Sequence, residues 1–296
     1  MREEIRQIQA VMEQEAYVTD RAVATSVYLA AVLKKPLLVE GHPGVGKTEI
    51  AKVLARALRT DLIRLQCYEG LDATTALYEW NYPKQMLHIK LEEHSGRTVA
   101  EKEASIFGEA FLLKRPLLQA ITHEERAPVL LIDEVDRSDE EFEAFLLEVL
   151  SDFQVTIPEI GTIRAKHHPS VVLTSNRSRE LSEALRRRCL YLWIDYPTLD
   201  KELRIIRTKV PGIDERLAAE IAAFMHSLRS MRLAKVPGVA ETLDWATALV
   251  TLHAFQLDEQ LVRETLGCLL KDEADLRHFR ERVNDEALRA MASALA

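Results

Sequence analysis

The sequence predicts an α/β fold: a doubly wound sheet of five parallel strands, followed by a helical module. Five short apolar runs, at 36–40, 62–67, 129–133, 171–176 and 190–195, have the continuous hydrophobicity of strands buried on both faces, and several are flanked by helical patterns. After Tyr196-Pro197 no further strand-like run appears. Helical stretches follow near 198–209, 213–230, 240–254, 258–271 and 274–294, with breaks at Pro211-Gly212 and Pro237-Gly238. This pattern divides the chain into an α/β core at 1–197 and a helical domain at 198–296, both of ordinary size.

The first run leads into Gly41-His42-Pro43-Gly44-Val45-Gly46-Lys47-Thr48, which fits the phosphate-loop pattern G-x-x-x-x-G-K-[ST]. The context is also right, since an apolar strand leads in and the amphipathic stretch from Glu49 to Leu58 leads out. Glycines let the backbone curl so that its N–H groups face a phosphate, and the helix start adds a favourable dipole. Lys47 is placed to reach the β- and γ-phosphates, and the Thr48 hydroxyl to ligate Mg²⁺. A glycine-rich turn without a ligand would not need the whole pattern in this frame, so the stretch points to a nucleoside triphosphate.

The third run, Val129-Leu130-Leu131-Ile132-Asp133-Glu134, is a strand ending in two carboxylates. Such an end can be a solvated acidic turn. Downstream of a phosphate loop it predicts Asp133 toward Mg²⁺ and Glu134 toward the attacking water. The clearest helix spans 139–150, with Phe142, Phe145, Leu146, Val149 and Leu150 on one face and a capping box of Ser138 and Glu141. The fourth run ends at Asn176, either the start of a turn or a donor to the γ-phosphate or lytic water at the carboxyl edge of the sheet. Before the last run lies Leu185-Arg186-Arg187-Arg188-Cys189. Arginine runs are usually solvated; in a ring of subunits one guanidinium could reach a neighbour's γ-phosphate.

Composition narrows the classes. The 296 residues carry a net charge of −8, which argues against a generic polyanion binder. No apolar run approaches membrane-spanning length, and Met1-Arg2-Glu3-Glu4-Ile5 has no signal-peptide core. Cys67, Cys189 and Cys268 form no metal-ligand spacing and are odd in number, so reduced thiols in a cytoplasmic protein are the simplest reading. His167-His168 reads as a polar loop, because adjacent side chains of extended backbone point apart. Tyr68, Tyr78, Trp80 and Tyr82 concentrate in a segment at 68–95. Tyr68 and Tyr78 read as rings packed beneath a loop, and Trp80-Asn81-Tyr82-Pro83-Lys84 as an exposed binding tip.

These motifs, in this order and followed by a helical module, resemble an AAA+ ATPase. The stretch from Cys67 to Leu87, with Leu131-Ile132-Asp133-Glu134-Val135-Asp136-Arg137, is similar more narrowly to the MoxR family and its CoxD-like branch. The resemblance covers nearly the whole chain. It implies that Lys47 and Thr48 are Walker A positions, Asp133 and Glu134 Walker B, Asn176 sensor 1, and Arg188 the arginine finger, with Arg187 a close second. Tyr17-Val18-Thr19-Asp20 stands where the adenine-side segment lies, and 153–161 matches the hairpin before sensor 1. One departure is visible: where the lid helix often carries a sensor 2 arginine, this chain reads Gly238-Val239-Ala240-Glu241-Thr242-Leu243, with Lys235 as the nearby substitute. The resemblance further implies ATP and Mg²⁺ as cofactors and a homo-oligomeric, hexameric ring. It also implies a von Willebrand factor A domain partner, and a client enzyme matured with a metal cofactor, such as a molybdenum- and copper-containing carbon monoxide dehydrogenase. No nucleic-acid partner is expected. A nucleotide-gated assembly scaffold with little mechanical work is the alternative.

Overall fold

The computed structural model describes residues 2–92, 98, 101 and 106–293; residues 93–95 of the aromatic segment and residue 294 of the last expected helix lie outside the described residues. The elements in chain order are α1 (Arg2–Gln14), α2 (Arg21–Leu33), β1 (Leu37–Gly41), α3 (Lys47–Leu58), β2 (Leu62–Gln66), α4 (Ala73–Leu77), β3 (Tyr78–Trp80) and α5 (Tyr82–Leu91). They continue with β4 (Leu112–Lys114), α6 (Pro116–Ile121), β5 (Val129–Asp133), α7 (Glu140–Asp152), β6 (Gln154–Ile157), β7 (Gly161–Arg164), β8 (Ser170–Ser175), α8 (Glu183–Arg188) and β9 (Leu190–Ile194). The C-terminal helices are α9 (Leu199–Lys209), α10 (Glu215–Arg229), α11 (Val239–Thr251), α12 (Glu259–Thr265), α13 (Glu273–Arg282) and α14 (Asp285–Ser293).

The five expected strands form one parallel sheet in the order β2-β5-β8-β1-β9. Their register aligns Gln66 with Asp133, Ile132 with Leu173 and Glu40 with Ser175, so the carboxyl ends share one edge, where α/β sheets hold ligands. The hairpin expected at 153–161 is the β6–β7 pair. Two compact units result. One is built on Arg21–Glu40 and Ile50–Leu192, with the chain's start up to Ile8; the other comprises Gln9–Asp20, Gly41–Glu49 and the chain from Trp193. In the first, the apolar face of α7 (Phe142, Leu146, Val149) joins Leu38, Leu130, Ile132 and Leu173 in the core. In the second, Trp245, Phe224 and Phe279 are fully buried, and the Trp245 Nε1–H donates to Thr265 Oγ1 at 2.8 Å. This bond spares the indole an unmet donor in an apolar interior.

Local differences from expectation have physical causes. Helix α7 is capped by Asp139, whose carboxylate accepts from the Phe142 N–H at 2.8 Å, and not by Ser138. The Ser138 hydroxyl is committed to the Val135 carbonyl at 2.8 Å, closing the turn after β5, so the next residue takes the cap. The last expected helix is two, because Asn284 interrupts it and caps α14 through the Ala287 N–H at 2.8 Å.

The aromatic segment is corrected more deeply. Trp80 is buried: it lies on β3, opposite Leu112 of β4, with its ring 6.0 Å from Tyr78 and 5.4 Å from Phe107. Tyr78 packs against the core as expected, whereas Tyr68 is exposed. The exposed part begins two residues after Trp80: Tyr82, Pro83 and Lys84 of the expected tip are exposed, and Met86 and Leu87 on α5 extend that surface. Trp80→Ala should therefore cost about 3–5 kcal/mol in urea unfolding, as expected for a core aromatic. Tyr82→Ala should stay within about 0.5 kcal/mol of wild type. Equal midpoints for the two variants would contradict this placement.

Candidate functional site

The phosphate loop turns where β1 ends. Gly44 and Gly46 have φ of +74° and +91°, left-handed values that a side chain would strain. Lys47 opens α3 and is buried, with Nζ donating to the carbonyls of Gly41 at 2.9 Å and His42 at 2.7 Å, and Thr48 follows on the same first turn. Pro43 is exposed and Val45 buried, which fixes the loop from beneath. His42 stacks on Tyr196 at 4.5 Å and 10°, meets Trp193 edge-on at 5.6 Å, and sets Nε2 3.7 Å from Asp195.

The same unit holds the start of α11 against this loop. The Ala240 N–H donates to the Gly44 carbonyl at 3.1 Å, and a Cβ on Gly238 would meet the Pro43 oxygen at 2.7 Å, so only glycine permits the approach. Glu241 is spent on the helix start, accepting from the Gly238 N–H at 2.8 Å, the half of a capping box that a glycine N-cap allows. Thr242 is buried and bonded to Arg229, whose guanidinium also grips Glu202 through two bonds of 2.5 and 2.7 Å and lies over the Tyr196 ring. Lys235 is exposed, and its backbone is tied to Asp275. The arginine of this region thus organises the helical unit from α10.

At the carboxyl edge of the sheet, Asp133 is buried, accepting from Thr174 Oγ1 at 2.5 Å and from Arg64 Nε and Nη2 at 3.1 and 2.5 Å. Glu134 stands just beyond the strand at φ +55°, its N–H donating to the same Thr174 oxygen at 2.9 Å. Its Oε1 accepts from Asn176 Nδ2 at 3.3 Å, and Oε2 accepts from Gln66 Nε2 and Arg137 Nη1, both at 3.1 Å. Asn176 is itself placed by Asp136, whose buried carboxylate receives the N–H groups of Asn176 and Ser178 and the Ser178 hydroxyl, at 3.2, 2.8 and 2.7 Å. Asp133, Glu134 and Asn176 therefore meet. Arg64, Gln66, Thr174 and Asp136 are additions to the expected set; the signal for the first two was their i, i+2 spacing on an otherwise apolar strand. Burial, then the charges of Asp133, Asp136 and Glu134, push the Cys67 thiol up to about 12, so it supplies no nucleophile here.

Helix α8 carries the arginines. Arg186 is partly buried, Arg187 is exposed and paired with Glu183 at 2.8 Å, and Arg188 is exposed with Nε donating to Ser151 Oγ at 3.0 Å.

Residues 37–193 match the ATPase family associated with various cellular activities (AAA). The chain belongs to the AAA family. Relatives of this AAA protein include an uncharacterized protein of Staphylococcus epidermidis, 24% identical over 87% of this chain and 92% of that one. Another is the Holliday junction branch migration complex subunit RuvB of Thermotoga maritima, 24% identical over 83% of this chain. The chain spans 63% of that RuvB's length. A solved Thermotoga maritima RuvB mutant aligns over 93% of this chain and 83% of its own, with a TM-score of 0.50 and 20% identity, a likeness of fold alone.

Proposed function

We propose that the protein is a ring-forming AAA+ ATPase of the MoxR type, on its CoxD-like branch, that hydrolyses ATP to remodel a client protein. The observation that carries hydrolysis is Glu134, held at the sheet edge by Asn176, Gln66 and Arg137 beside the buried Asp133. A carboxylate so fixed can orient a water and accept its proton. The glycine loop, Lys47 and the start of α3 supply the donors that a triphosphate needs. Thr48 and Asp133 offer oxygen donors, the type that Mg²⁺ takes, and the ion would neutralise charge on the β- and γ-phosphates when bound. Residues 198–296 serve as the lid.

The client reading rests on the exposed Tyr82, Met86 and Leu87 of α5, an apolar surface suited to protein partners. On this reading the client is an enzyme undergoing metal-cofactor maturation, such as a molybdenum/copper carbon monoxide dehydrogenase, with a von Willebrand factor A domain protein as partner, a hexamer as the assembly and the cytoplasm as the location. Among the described residues no helix is long and apolar enough to cross a membrane. The Holliday-junction work of RuvB is a property of that protein; the net charge of −8 here favours a protein client over a nucleic acid. The commitment of Glu241 and Thr242 within the helical unit favours a second reading, a scaffold assembled by nucleotide binding with little turnover.

Nucleotide binding is tested by titrating ATP, with Mg²⁺, into wild type and Lys47→Ala. Loss of one charged phosphate contact is worth about 1.5–3 kcal/mol, so affinity should fall about 10–150-fold. An unchanged affinity would remove Lys47 from the site.

A further inference from the structure

Glu40, the residue before the phosphate loop, is buried at 1% exposure, yet nothing in the chemistry above uses it. A carboxylate in a strand of a buried sheet is costly unless its charge is answered. The answer comes from three side chains outside β1. The Tyr191 hydroxyl donates to Glu40 Oε2 at 3.0 Å, while Arg177 Nε and Arg186 Nη2 each lie 3.8 Å from that same oxygen. Arg186 also covers the Tyr191 ring, 5.4 Å from its centroid. Burial and the bond to Glu40 raise the Tyr191 phenol above its ordinary value, which keeps it a donor.

The origin of the two arginines gives the cluster its meaning. Arg177 directly follows Asn176 and stands at φ +58°, an uncommon conformation for a residue with a Cβ. Arg186 lies on α8 beside the exposed Arg187 and Arg188. Successive helical residues are rotated by about 100°, so turning Arg186 inward onto Glu40 turns its two neighbours outward.

We propose that Glu40 is a positioning residue: it ties the strand feeding the phosphate loop to the Asn176 loop and to the arginine helix, with Arg186 as the anchor and Arg188 as the group thereby presented to a neighbouring subunit. The inference rests on the ring reading above.

Mixed assemblies of the full-length chain separate the two. An Arg188→Ala subunit keeps its phosphate loop, and a Lys47→Ala subunit keeps its arginine, so mixing them should restore ATP hydrolysis at shared interfaces. Replacing the second partner by the double variant Glu40→Gln/Lys47→Ala leaves that subunit's own pocket disabled in both mixtures, so any further loss reports arginine presentation. Glutamine retains one acceptor oxygen for Tyr191 while removing the charge that faces Arg177 and Arg186. Recovery should fall about tenfold or more, since misplacing a transition-state group by about 1 Å costs up to about 10²-fold. Circular dichroism and light scattering establish that the double variant is folded and assembled; should it not be, Arg186→Gln/Lys47→Ala takes its place, with the same expected loss. Recovery equal to that with Lys47→Ala alone, in an assembled partner, overturns the positioning role while leaving the ring intact. No recovery even with Lys47→Ala alone overturns the ring reading, and this inference with it.

Discussion

Glu134→Gln is expected to bind ATP with wild-type affinity and to hydrolyse it about 10²–10⁴-fold more slowly, the range general-base catalysis contributes. The side chain keeps its size and its place beyond β5, and its backbone N–H still donates to Thr174 Oγ1. What it loses is the ability to take a proton. The network also predicts which way the amide turns. Gln66 and Arg137 both donate to one oxygen and Asn176 to the other, so the amide oxygen should face the two donors and the NH₂ should face Asn176. That leaves one donor–donor clash at a partly exposed site, a modest cost beside the catalytic one. Single-turnover hydrolysis measured with bound ATP separates chemistry from binding. Turnover equal to wild type would remove Glu134 from its role and shift weight to the scaffold reading.

The parts legible in the sequence were those whose signal is contiguous. The glycine loop at 41–48 is a contiguous run of eight residues that matches a pattern built on backbone donors, so its spacing is readable in the chain itself. The strands feeding it were legible because a parallel sheet covered by helices favours largely apolar runs, and all five runs pair as strands, although β2 and β9 stand at the edges and are only partly buried. Asp133, Glu134 and Asn176 were legible as polar residues ending such runs. The rest depends on register. Arg64 reaches Asp133 only because β2 pairs with β5 so that Gln66 stands opposite Asp133, and Thr174 does so from the other flank, through β8. Neither relation is written in local spacing. Glu40 was illegible for the same reason, since its partners lie more than a hundred residues downstream. Trp80 failed differently: polar and proline neighbours suggested an exposed tip, but a strand places alternate residues on opposite faces, and Trp80 takes the inner one.

Arg188→Ala should leave ATP binding unchanged and reduce the assembled enzyme's hydrolysis rate about 10³-fold or more, the order that an arginine finger contributes. The reasoning starts from α8, capped by Ser182 and anchored through the buried Leu185. On that short helix Arg188 is exposed, and among the described residues its guanidinium bonds through Nε to the Ser151 hydroxyl. A neutral partner of this kind holds the stem in place without neutralising the charge. Arg187 is instead paired with Glu183 on the surface, so its charge is already answered, though weakly. Arg187→Ala should therefore cost much less than Arg188→Ala, and an inverted ranking would exchange their roles. On the ring reading proposed above, the guanidinium acts on another subunit's nucleotide, so wild-type specific activity should rise with protein concentration as rings assemble. Arg188→Ala should show no such rise, although light scattering reports the same assembly. A wild-type monomer that hydrolyses ATP at the full rate would show that the pocket is complete within one chain, and would leave Arg188 with no part in the chemistry.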